Sequence, residues 1–137
     1  MRKIAWDIGT VRIGIATSDP MGIIASGYET FVRSKDFEAD LKKIAALAET
    51  KQADAFVIGL PLNMDGTEGE KVAEIRDFAD NLARFTDRKI VFQDERLSTV
   101  SAQKALIESG MRREKRKKVV DQVAATIILQ SYLDRIN

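Results

Sequence analysis

The groups in this chain best suited to chemistry are carboxylates. Three stand in separate segments, each where a strand or helix should end or begin: Asp7 in MRKIAWDIGT, Glu95 in IVFQDERLST and Asp121 in KKVVDQVAAT. The 137 residues include no histidine and no cysteine. A Ser-His-Asp triad and a Cys-His pair are therefore excluded, and zinc, which relies mostly on those two residue types, is a poor fit. Acids gathered from distant segments suit a hard cation bound through oxygen, Mg²⁺ or Mn²⁺. Each acid also has a plainer reading. Asp7 could accept hydrogen bonds from the Gly9-Thr10 turn. Glu95 sits between Asp94 and Arg96 and could belong to a local ion pair, with Asp94 as the reserve ligand. Asp121, expected in the first turn of a helix, would be favoured there by the helix dipole alone.

The net charge of +1 conceals an asymmetry. The run RREKRKK contributes Arg112, Arg113, Lys115, Arg116, Lys117 and Lys118 against a single acid. It carries +5, so the rest of the chain carries −4. A cationic patch on a mildly acidic body suits a polyanion, and a nucleic-acid backbone is the obvious one. Arg96 could neutralise the acids or contact a phosphate. Asn63, in the polar loop LPLNMDGTEG, is placed for a phosphate or sugar contact.

The elements that must position these groups follow from periodicity. KIAWD and RIGIATSD alternate around a turn at Gly9, and a third extended segment covers 23–32, so the first third reads as an antiparallel meander. A helix follows with Asp36 as N-cap and Phe37, Leu41, Ile44 and Ala48 on one face. AFVIGLP reads as a strand buried on both faces. Thr67 and Glu70 have capping-box spacing ahead of a helix carrying Val72, Ile75, Ala79 and Leu82. KIVFQ is a short buried strand, Ser98 or Thr99 caps a helix ending near Ser109-Gly110, and the last helix covers about 119–136. The order β-β-β-α-β-α-β-α-α gives one α/β domain over 1–137, a mixed sheet with helices on its faces. Sites in such sheets form beyond the C-terminal ends of the parallel strands, where Asp7, Gly59 and Glu95 fall.

The stretches DIGTVRIGIATSD, VIGLPLNMDGTEG, DERLSTVSA and VDQVAATIILQSYL, in this order, closely resemble the signature blocks of the YqgF/RuvX family. The resemblance implies an RNase H-like fold related to the resolvase RuvC, with strand order 3-2-1-4-5. It also implies a nuclease assigned to 5′ maturation of pre-16S rRNA, with its acidic site on Asp7, Glu95 and Asp121. Other RNase H-like nucleases usually place their second acid on strand four, where this chain has Gly59. Glu95 must then reach inward across Gly59 from strand five, roughly 10 Å from strand one.

The function expected is hydrolysis of phosphodiester bonds in RNA by a Mg²⁺- or Mn²⁺-dependent enzyme. Branched DNA as substrate, in the manner of a Holliday-junction resolvase, is the alternative. A non-catalytic RNA-binding module built on the basic run is a further one. DIGT also resembles the phosphate loop of actin-like kinases, but those require a second lobe for which this chain is too short. No apolar run reaches the ~18 residues of a membrane span. The absence of cysteine fits a reducing cytoplasm. The enzyme is expected as a monomer or homodimer, since a two-fold junction substrate would require two copies.

Overall fold

A computed structural model describes residues 2–95 and 98–137. Arg96 therefore lies outside the described residues, as do the side chains of Ser98, Thr99, Lys117 and Lys118. The elements run β1 (Lys3–Ile8), β2 (Arg12–Ser18), β3 (Ala25–Val32), α1 (Phe37–Thr50), β4 (Ala55–Leu60), α2 (Glu70–Leu82), β5 (Lys89–Asp94), α3 (Ser98–Glu108) and α4 (Arg113–Ile136). They build a five-stranded sheet ordered β3-β2-β1-β4-β5. β1 pairs antiparallel with β2 and parallel with β4, and β5 lies parallel to β4. This is the order the family resemblance implies.

The two faces of the sheet differ in bulk. Ile4, Trp6, Ile8, Ile13, Ile15, Phe56 and Ile58 point to one side and pack against Leu41 and Ile44 of α1 and Val72, Ile75, Phe78 and Leu82 of α2. On the other side Ala5, Ala16 and Val57 meet Ala125, Ile128, Leu129, Tyr132 and Leu133 of α4. Small residues on that second face let α4 lie close to the strands. Gly14 is the tightest point: a Cβ there would collide with the carbonyl of Asp121 and stand 2.9 Å from its Cβ. A third cluster, Ala102, Leu106, Val120 and Ala124, joins α3 to α4.

Local chemistry explains most boundaries. Asp36 caps α1 by accepting from the Ala39 N–H at 3.0 Å. Gly110, with φ at +77°, closes the end of α3 in a conformation that costs a side-chain-bearing residue free energy. Three expectations are corrected. Thr67 does not cap α2. Its hydroxyl donates to Asp65 Oδ1 at 2.6 Å, and the N-cap is Gly69, without a side-chain cap. β5 is an edge strand, only half-buried between its exposed ends, rather than fully buried. α4 begins at Arg113, so the basic run forms its opening turns and Asp121 falls in the third turn.

The Gly14 contact yields a first prediction. Gly14→Ala presses a methyl group into backbone atoms that cannot rotate away, so α4 must shift off the sheet. We expect a loss of at least about 2 kcal/mol, within the range of core overpacking, read as a lowered midpoint in urea unfolding.

Candidate active site

Strand register places Asp7 at the centre of a row. Asp7 pairs with Gly14 of β2 across the hairpin, and Gly59 pairs with Gln93 on the far side of the sheet. In the β1–β4 pairing Trp6 stands opposite Ile58, so the next positions, Asp7 and Gly59, are neighbours. Because side chains alternate along a strand, this whole row faces α4. Asp7 therefore has a glycine on either hand.

Each glycine admits one of the other two acids. On the β2 side the missing side chain of Gly14 lets the Asp121 backbone settle onto the sheet. On the β4 side Glu95 folds over Gly59, so that a Cβ there would lie 2.8 Å from Glu95 Cδ and 3.0 Å from its Oε1. The Glu95 N–H donates to Leu60 O at 2.9 Å, which ties the segment after β5 to the end of β4. Glu95 thus crosses the intervening strand where that strand has no side chain. Asp94 pairs with Leu60, whose side chain packs on the α1 and α2 side. Alternation turns Asp94 away from Asp7.

The electrostatics match this geometry. Burial, reinforced by the charge of Asp121, pushes the Asp7 carboxyl up to about 6 from an ordinary 3.8. A hydrogen bond with Glu95 and the charge of Lys71 act in the opposite direction. Asp7 is thus engaged by Glu95 rather than by the Gly9 turn, which closes on its own backbone with Gly9 N–H donating to Arg12 O at 2.9 Å. Asp121 Oδ2 accepts from Arg12 Nε at 3.0 Å. Its place in the third turn removes the helix dipole as an explanation for an acid there.

Among the described residues no three acids close around a single cation position. Asp121 is turned toward Arg12, while Asp7 and Glu95 share a hydrogen bond. The donor set nevertheless fits a hard cation. It is all carboxylate, its central member is desolvated beside another acid, and two carboxyl groups in hydrogen-bond contact must share either a proton or a cation.

The remaining candidates are spread more widely. Asn63 is exposed, and its amide donates to Thr67 Oγ1 at 2.9 Å within the 61–69 loop. Arg112, Arg113 and Lys115 are exposed at the start of α4, and Arg116 Nη1 donates to Met111 O at 3.4 Å. Sequence reading overlooked Arg12 and Lys71. Arg12 lay inside a signature block, and the tight turn after β1 could have placed it near the row. Lys71 carried no signal, because only the seating of α2 brings its charge to Asp7.

The profile of the family described as "RuvX: Holliday junction resolvase" matches residues 1–135. The chain belongs to this family. The RuvX chain is 50% identical over 133 residues to a Nitrobacter hamburgensis protein named "Putative pre-16S rRNA nuclease", covering 97% of this chain and 81% of that one. A Clostridium tetani protein of the same name is 43% identical over 136 residues, covering 99% and 98%. In fold, this chain resembles the Thermus thermophilus RuvC solved with a Holliday junction substrate. The TM-score is 0.55 and identity 12%, covering 100% of this chain and 96% of that one. The fold is RNase H-like, and family membership makes the protein a nuclease. Among the described residues no helix is long and apolar enough to cross a membrane.

Two predictions come from the row. Gly59→Ala places a methyl group against Ile128 Cδ1 at 2.7 Å and against Glu95, both movable side-chain atoms. It should destabilise the fold less than Gly14→Ala while displacing Glu95, visible as a changed Asp7 titration by NMR. The second concerns pH. A folded-state value near 6, above the ordinary 3.8, means that the stability tied to Asp7 is complete below about 3.8 and is lost as pH rises through 6. In chelator at pH 7.5, Asp7→Asn should therefore stabilise the protein by about 1–3 kcal/mol. At about pH 3.5, below the ordinary value, the gain should largely vanish. Equal destabilisation at both pH values would mean that Asp7 is a structural hydrogen-bonding residue.

Proposed function

We propose that this RuvX protein is a divalent-metal-dependent ribonuclease, acting in the cytoplasm as one catalytic domain over 1–137 on the 5′ end of pre-16S rRNA. The observation that carries the reading is Asp7, desolvated between Gly14 and Gly59 and met by Asp121 on one side and Glu95 on the other. The naming of relatives from two distant genera for pre-16S rRNA nuclease supports RNA as the substrate.

Asp7, Glu95 and Asp121 would hold Mg²⁺ or Mn²⁺. When bound, such an ion acidifies water and offsets the charge that develops on a phosphate. The chain's own residues supply the rest. Asp7 and Glu95 fix the acidic centre on the rigid middle of the sheet. Arg12 restrains Asp121 until a competing positive charge takes its place. The cationic opening turns of α4, which lead into the turn bearing Asp121, attract the phosphate backbone toward that centre. Arg112, Arg113, Lys115 and Arg116 would serve as phosphate contacts that position the substrate without reading its sequence.

Cleavage of branched DNA is a second reading, supported by the family's description. A single assay separates the two. Wild-type protein and Asp7→Asn are incubated with a pre-16S-like RNA, single-stranded DNA and a four-way junction, with and without Mn²⁺. We expect Mn²⁺-dependent cleavage of the RNA by the wild type and none by Asp7→Asn, whose fold is retained by circular dichroism. Unchanged cleavage by the variant would exclude the carboxylate site, and preferential cutting of the junction would favour the second reading.

A further inference from the structure

A cleft of about 530 Å³ opens at the same sheet edge as the acids, on the side of α1 and α2. It begins at Ile8 and Thr10, the residues just past Asp7, and continues between the β3–α1 connection and α2. Its volume lies within the range of small-molecule sites. Arg33, Lys35 and Lys71 bring positive charge to it, and Glu74 and Asp77 of α2 bring carboxylates.

The walls are built in place. Arg33 Nη1 donates to Gly9 O at 2.8 Å, and its guanidinium stands 5.5 Å from the Phe78 ring centroid. Ser34 is fixed by Asp40, a carboxylate only 2% exposed. Asp40 accepts from the Ser34 N–H at 2.9 Å and from its hydroxyl at 2.7 Å. That buried acid locks the connection holding Arg33 and Lys35. Phe37 packs edge-on against Phe78, with centroids 5.7 Å apart, and remains 36% exposed at the rim. Lys71 is 3.8 Å from Glu74, a loose and half-exposed pair from which its ammonium is readily exchanged. The same ammonium acts on the charge of Asp7.

We propose that this cleft seats one unpaired nucleotide of the RNA next to the scissile phosphate. The inference rests on the nuclease reading above and extends it to the kind of strand the enzyme accepts. A nucleotide has the matching polarity. Its phosphate accepts from Lys35 and Lys71, its base stacks at the exposed Phe37 edge, and the N–H donors of its base edge meet Asp77. A base held in a duplex stack cannot enter such a cleft, so the enzyme should prefer a single-stranded flank over a blunt duplex. The strand would run from the basic turns of α4, across the acidic row, into the cleft on the opposite face.

The test measures binding without chemistry. Anisotropy of a labelled 12-nucleotide single-stranded RNA is recorded in chelator for three proteins. These are the wild type, Lys35→Glu/Lys71→Glu, and Lys42→Glu/Lys43→Glu, an equal charge change on the exposed side of α1. The cleft pair should weaken binding at least tenfold and flatten the salt dependence by roughly one phosphate contact. The α1 pair should cost less than threefold, and blunt duplex RNA should bind weakly to all three. Equal losses in the two pairs, or none in the cleft pair, would overturn the cleft while leaving Mn²⁺-dependent cleavage as evidence for the nuclease. A wild type that neither binds nor cuts RNA would sink both.

Discussion

The site depends on how closely one helix can lie on one sheet. α4 settles onto the strands because that face carries alanine and glycine where the opposite face carries isoleucine, phenylalanine and tryptophan. At Gly14 the approach brings the helix backbone within reach of the strand, closer than any side chain would permit. Asp121 is carried by that contact to the neighbourhood of Asp7. The cost of gathering like charges is met by the tight packing around them, since close-packed interiors transmit local demands instead of absorbing them.

Gly59 solves a different problem with the same means. A strand-four acid would stand beside Asp7 directly; here the second carboxylate comes from beyond β5 and needs a path across β4. The absence of a side chain at Gly59 is that path. The arrangement separates two requirements, since the strand supplies clearance and a neighbouring connection supplies the acid. Its electrostatic expense falls on Asp7, desolvated and next to another negative charge. Lys71 moderates that expense from the α2 face, while Arg12 pairs with Asp121 on the α4 face.

Much of this was legible in the chain. Alternation in β1 and β2 and the tight turn between them set the hairpin register, which fixes Asp7 opposite Gly14. The apolar run of β4 marked a central strand, and its lone glycine stood at the right depth. What stayed hidden has physical causes. The start of α4 was missed because its opening turns reach beyond the sheet edge and have no apolar stripe to bury, although lysine and arginine are good helix formers. The capping-box spacing at Thr67 misled because Asp65, two residues earlier, competes for the same hydroxyl. The Arg12–Asp121 ion pair joins residues 109 positions apart and exists only once α4 has docked.

The Gly14 contact also fixes α4 along its own axis. A helix advancing by one residue moves about 1.5 Å and turns by about 100°. Either change would withdraw the Asp121 carbonyl from its recess and swing the carboxylate away from the row. Sidestepping is therefore sterically opposed, so the position of Asp121 and the register of α4 on the sheet are set by the same contact. Bringing the acids together should therefore require α4 to occupy the one register that the strand leaves open.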